Sequence, residues 1–119
     1  MKKKRVLLID DEPSFTRMLK LNLEETGAYE VREENRGRFG LAAVREFKPD
    51  LILLDIIMPD MSGGEVAYHI KADRDVKNTP IVFLTAATKK ADEGLIAGLT
   101  IIAKPVTVKE VIYYIEKSL

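Results

Sequence analysis

The sequence predicts an α/β domain built on a parallel sheet with helices on both faces. Two observations carry this. Short, nearly continuous apolar runs alternate with longer amphipathic stretches from one end of the chain to the other. The runs themselves lack polar alternation, which suits strands covered on both sides, as parallel strands are. Parallel neighbours need a crossover, and a helix is the usual crossover, so alternation of the two patterns favours a parallel sheet.

The apolar runs are RVLLID (5–10), the weaker YEVREE (29–34), DLILLDI (50–56), PIVFLTA (80–86) and TIIAKP (100–105). Five amphipathic stretches follow them. Pro13 suits a first helical turn, and Phe15, Met18, Leu19 and Leu23 are expected to share its inner face. Phe39, Ala43 and Phe47 line a second helix, weakened by Gly37 and Gly40. A third begins at Ser62, which has capping-box spacing to Glu65. A short fourth is expected in KKADEGLIAG (89–98), with Gly98 as its stop. The fifth follows Thr107, again with capping-box spacing to Glu110, and its inner stripe is Val108, Val111, Ile112 and Ile115.

Composition narrows the function classes. The chain has 119 residues, one domain's worth (1–119), and 46% are apolar, enough for a real core. Nineteen basic residues balance nineteen acidic ones, which argues against a general nucleic-acid or membrane-surface binder. Without cysteine there are no disulfides and no thiolate metal sites. The basic start is followed by too short an apolar run for a secretory signal, and no run reaches membrane-spanning length. The expected location is the cytoplasm.

Acids end two of the runs. Asp10 and Asp11 close the first, and Asp55 closes the third. Ligands of open parallel sheets bind beyond the carboxyl ends of the strands, at the switch point of strand order. In a flavodoxin-like (βα)5 sandwich, of order 2-1-3-4-5, the first and third strands are neighbours there. Three carboxylates would then converge, and two unit charges about 4 Å apart repel by roughly 4 kcal/mol at a surface-like dielectric. Such a cluster calls for a cation or protons. An oxygen-only donor set points to Mg2+. Thr85 and Lys104 end the later strands and would add a hydroxyl and an ammonium at the same edge. The anion best suited to Mg2+, Lys and Thr is a phosphoryl group.

Taken together and in order, IDDEP, LILLDIIMPDMSG, FLTA and AKP resemble the receiver domain of two-component response regulators, over essentially the whole chain. The resemblance implies that Asp55 is the phosphoacceptor. It implies that Asp11, Asp55 and the backbone carbonyl of Ile57 bind Mg2+ directly, with Asp10 acting mainly through bound water. Lys104 would pair with phosphoryl oxygens, Thr85 would turn its hydroxyl to the phosphate, and the Lys104–Pro105 bond would be cis. Gly63 matches the family glycine of the loop after the third strand. The donor would be a histidine kinase, a phosphotransfer protein or a small acyl phosphate. The chain would be no enzyme beyond catalysing its own phosphorylation and dephosphorylation. It would switch a partner-binding surface, as a monomer or weak dimer, with no direct nucleic-acid contact.

Some positions depart from the family pattern. Ile101 stands where many receivers carry an aromatic residue, and Thr85 and Lys104 are only 19 positions apart. Both predict an unusual or weak switch across residues 86–115. Ile57 and Ala87 are apolar where an amide or acid would help position hydrolytic water, which predicts slow self-dephosphorylation. Two other functions compete. A phosphorylation-independent interaction module would be expected to lose site residues, yet all are present. A Mg2+-dependent phosphohydrolase would need an acid two residues after the nucleophile, where Ile57 stands. No G-x-G-x-x-G follows the first strand, so a dinucleotide enzyme is disfavoured. His69, the only histidine, is given no catalytic role. Tyr113 and Tyr114 are expected to pack, with a partner face as the alternative.

Overall fold

The computed structural model describes residues 2–86, 94–96, 99–104 and 106–119. In chain order the strands are β1 (Lys4–Ile9), β2 (Tyr29–Glu34), β3 (Leu51–Asp55), β4 (Ile81–Thr85), β5 (Gly94–Ile96) and β6 (Leu99–Ala103). The helices are α1 (Pro13–Glu25), α2 (Gly40–Phe47), α3 (Gly63–Ala72) and α4 (Val108–Ser118). A 3-10 turn, Gly37–Phe39, leads into α2.

The sheet order is β2-β1-β3-β4-β6-β5. The five expected strands are all parallel and in the expected 2-1-3-4-5 order, with β6 as the fifth. Because side chains alternate across a strand, each run feeds two cores. Val6, Leu8, Leu51, Leu53, Val82, Leu84 and Ile102 face α1 and α4, where Leu19, Leu23, Val111 and Ile115 meet them. Leu7, Ile9, Ile52, Leu54 and Phe83 face α2 and α3, against Ala43, Val44, Phe47, Val66 and Ile70. β2 reads weakly because it is an edge strand: only Tyr29 and Val31 are buried. The Glu24 carboxylate of α1 accepts from the Val31 N–H at 3.0 Å, which occupies a backbone donor that an edge strand would otherwise offer to other chains.

Several expectations are corrected. The fourth helix expected over 89–98 is not helical at 94–96, which pair antiparallel with β6, Gly94 opposite Ile101 and Ile96 opposite Leu99. A window this short gains little from helix formation, since the first turn is costly to nucleate. Pairing with the open edge of β6 offers these backbone groups partners at once. Residues 89–93, 97 and Gly98 lie outside the described residues. Met18 is exposed and Thr16 takes its place inside, because the buried stripe of α1 runs Thr16, Leu19, Leu23. Phe39 is 49% exposed, since the 3-10 turn breaks the helical phase that would have aligned it with Ala43. Neither Gly37 nor Gly40 weakens the interior of α2: one lies in the turn and the other opens the helix.

The helix starts agree with the sequence. Ser62 Oγ accepts from the Glu65 N–H at 3.2 Å, which is one of the two bonds of the expected capping box. Thr107 and Glu110 exchange both capping-box bonds, at 3.1 and 2.9 Å. Val111 and Ile115 are buried in the inner stripe of α4, with Val108 and Ile112 packed at its margin.

Candidate functional site

Strand register decides which residues meet. Ile9 lies opposite Leu54, Asp55 opposite Leu84, and Thr85 opposite Ala103. The residues that end or follow these strands, Asp10, Asp55, Thr85 and Lys104, therefore emerge along one edge of the sheet. Asp10 and Thr85 are buried, and Asp55 is 6% exposed. Each of Asp10, Asp11 and Asp55 offers a carboxylate oxygen, and these lie within 4.8 Å of one another. A crevice of about 280 Å3 opens there, lined by Asp11, Glu12, Asp55, Ile57, Thr85 and Lys104 among others. A wider hollow of about 570 Å3 lies elsewhere, beside Tyr68, Lys71, Phe83 and Lys117. Its described lining carries no acid, so size alone does not mark the site.

Lys104 sits among the acids. Its ammonium donates to Asp10 Oδ2 at 2.6 Å and to Glu12 Oε1 at 3.3 Å, and lies 3.7 Å from Asp55 Oδ2. It also caps the face of the Phe15 ring, 4.5 Å from the centroid, a favourable cation–π arrangement. The Lys104 backbone N–H donates to Thr85 O at 2.8 Å, which ties the two strand ends together. The Lys104–Pro105 bond and Ala87 lie outside the described residues.

One lysine does not balance this much negative charge. Burial and then the Asp10 charge push the Asp55 carboxyl up to about 6, against the opposing pull of Lys104 and the Ile57 N–H. Asp10 is raised as well, first by burial, with Lys104 and the Glu12 N–H partly offsetting it. Burial would lower the Lys104 ammonium, but its bond to Asp10 and the charges of Asp10 and Asp55 outweigh this and raise it. A buried carboxylate held above its ordinary range marks charge that a further cation would stabilise. The donor set, three carboxylates and nearby carbonyls, fits a hard divalent ion such as Mg2+.

The backbone around Asp55 is held by close approach. The Gly63 N–H donates to Ile56 O at 2.7 Å. A Cβ on Gly63 would lie 2.1 Å from Asp55 O, so only glycine lets α3 start this close to the end of β3. Asp60 of the same loop accepts from the N–H groups of Gly37 and Arg38, at 3.1 and 3.0 Å, and so joins the loop to the turn before α2. Ile57 is 64% exposed at the crevice, and its N–H bonds to the Asp55 carboxylate.

Sequence reasoning passed over Glu12, Phe15 as a lysine platform, Asn35 and Asp60. Glu12 could have been found, as it adjoins the paired acids. Asn35 carries no local signal, because it lies 25 residues from the Asp10 carbonyl that its side-chain amide reaches. His69 is exposed and meets Tyr68 edge-on. Tyr114 packs against the core as expected, whereas Tyr113 is exposed.

Comparison with known proteins agrees with this architecture. The family model described as "Response regulator receiver domain" matches residues 6–116. The DNA-binding response regulator MtrA of Mycolicibacterium smegmatis is 39% identical over 113 residues, covering 92% of this chain and 48% of that protein. The dual master transcriptional regulator RpaA of Synechocystis is 32% identical, over 91% of this chain and 46% of that one. The chain thus spans about half the length of these curated relatives. The chemotaxis protein CheY4 of Vibrio cholerae has a solved structure that superposes with a TM-score of 0.85 at 31% identity, covering 99% of this chain and 100% of that one. Parallel strands in 2-1-3-4-5 order, acids gathered at their carboxyl ends, and these matches lead to one conclusion: the chain belongs to the response regulator receiver domain family.

Proposed function

We propose that this receiver accepts a phosphoryl group on Asp55 in a Mg2+-dependent reaction and thereby switches a partner-binding surface. One observation carries the reading. Asp10, Asp11 and Asp55 bring carboxylate oxygens within 4.8 Å of one another, with the Lys104 ammonium 3.7 Å from Asp55.

Asp11, Asp55 and the Ile57 carbonyl would hold Mg2+ directly, with Asp10 acting through bound water. Bound there, Mg2+ would offset the negative charge of the phosphoryl oxygens. An Asp55 carboxylate oxygen forms the new bond to phosphorus as the P–N bond to a donor histidine breaks, and the departing imidazole keeps that electron pair. Phosphoryl transfer asks for positioning and charge neutralisation more than for covalent assistance. Lys104, held between Asp10 and Glu12, shifts by about one side-chain rotamer to meet the new oxygens. Thr85 turns its hydroxyl to the phosphorylated acceptor. The donor is a histidine kinase, a phosphotransfer protein or a small acyl phosphate, and the work is done in the cytoplasm by a monomer or weak dimer. Beyond its own phosphorylation and dephosphorylation the chain catalyses nothing.

A second reading, a module that signals by binding alone, is favoured by Ile101. It packs beside the α2–α3 core, at the position where many receivers carry an aromatic residue. The test is intact mass after incubation with a small phosphodonor, with and without Mg2+, for wild type and Asp55→Ala. A Mg2+-dependent gain of one phosphoryl group, lost in the variant, supports the switch. No gain with small donors and a panel of phosphorylated kinases leaves the binding module.

A further inference from the structure

We propose that Asn35, in the loop after β2, is a positioning residue for the acidic site, acting through the main chain of Asp10; the inference rests on the metal-binding reading above. The Asn35 amide nitrogen donates one hydrogen to Asp10 O at 2.8 Å and the other to Thr16 Oγ1 at 3.0 Å. Thr16 is fully buried in α1, and its hydroxyl lies 2.8 Å from Glu33 Oε1 and 3.2 Å from Pro13 O. Glu33 is in turn paired with Arg17 at 3.2 Å. Asp10 is thus held on both sides by the end of β2: its own N–H donates to Glu34 O at 3.1 Å, and its carbonyl accepts from Asn35.

The consequence lies in where Asp10 points. Its carboxylate accepts from the Glu12 N–H at 3.0 Å and from Lys104 at 2.6 Å. Asp10 lies one residue beyond β1: its N–H still bonds Glu34 O of β2, but its carbonyl is held by the Asn35 side chain and by no strand among the described bonds. Without Asn35 the peptide linking Asp10 to Asp11 loses its one side-chain anchor among the described bonds. Both acids then sample a wider range of directions. A ligand whose orienting partner is removed typically loses ten- to a hundredfold in metal affinity. Because Asn35 holds backbone rather than a ligand atom, the expected loss is about tenfold, the low end of that range.

The test uses the full chain and three variants, Asn35→Ala, Asn35→Asp and Ile115→Val. Mg2+ affinity is measured by calorimetric titration, and hydrogen exchange of the Glu12 amide is followed by NMR in the presence of chelator. Asn35→Ala is expected to bind Mg2+ about tenfold more weakly and to speed Glu12 exchange. Ile115→Val trims the core under α4 without touching Asn35 or its partners, and is expected to lower stability while keeping Mg2+ affinity near wild type. Asn35→Asp, similar in size but unable to donate, serves if the alanine variant does not fold, and is read by Glu12 exchange. Wild-type affinity and exchange in Asn35→Ala would overturn the inference. So would equal losses of affinity in Asn35→Ala and Ile115→Val, which mark general destabilisation. If wild type itself bound no Mg2+, the metal reading would fall and this inference with it.

Discussion

Replacing Asp55 by asparagine should stabilise the chelated protein at neutral pH, although it removes a buried charged residue. Burial and the Asp10 charge raise the Asp55 carboxyl from 3.8 to about 6. A carboxyl raised on folding binds its proton more tightly in the folded state. Its contribution to stability is fully present below 3.8 and is lost as pH rises through the folded value. A shift of this size is worth about 3 kcal/mol above pH 6. An asparagine side chain is neutral at every pH, so the variant avoids that loss. We expect Asp55→Asn in chelator to exceed wild type by up to about 3 kcal/mol at pH 7. In a chain of this length that is on the order of 10 °C in Tm. The gap should close toward pH 4. Urea denaturation at both pH values measures it. Equal or lower stability of the variant at pH 7, or a gap that does not shrink on acidification, would refute the claim that unbalanced charge is stored at this site. Mg2+ at a hundredfold its Kd should return about 2.7 kcal/mol to wild type and much less to the variant.

Three further outcomes follow from the same contacts. Gly63→Ala places a Cβ against the Asp55 and Ile56 backbone, and should cost about 2 kcal/mol after its small gain in helix propensity, read by denaturant midpoint. Thr107→Ala removes the Oγ1 acceptor for the Glu110 N–H while leaving the backbone N–H that donates to the Glu110 side chain, and should cost about 1 kcal/mol; the loss should appear as faster amide exchange in the first turn of α4. The phosphorylated protein, once made, should lose its phosphoryl group slowly, because the exposed side chain of Ile57 offers water no hydrogen bond; a half-life of seconds by intact mass would contradict this.

The parallel sheet and its five parallel strands were determined by the sequence alone. A run such as Leu51–Leu54 is apolar at every position, and only a strand covered on both faces buries all of it. Helix starts were equally legible at Thr107 and Ser62, because a cap is a contact between residues three apart. So were the acids that end strands, since local pattern places strand ends. What escaped the sequence were contacts made over long separations. Residues 94–96 became a strand because β6 offered them an open edge, a tertiary fact that outweighs a short amphipathic pattern. Met18 and Phe39 turned outward because helix phase depends on how a helix docks and how it begins. Lys104 met Asp10 across 94 residues, and Asn35 met the Asp10 carbonyl across 25. Local pattern sets which backbone a segment prefers. Which side chains share a crevice is set by strand register, and that exists only once the sheet has formed.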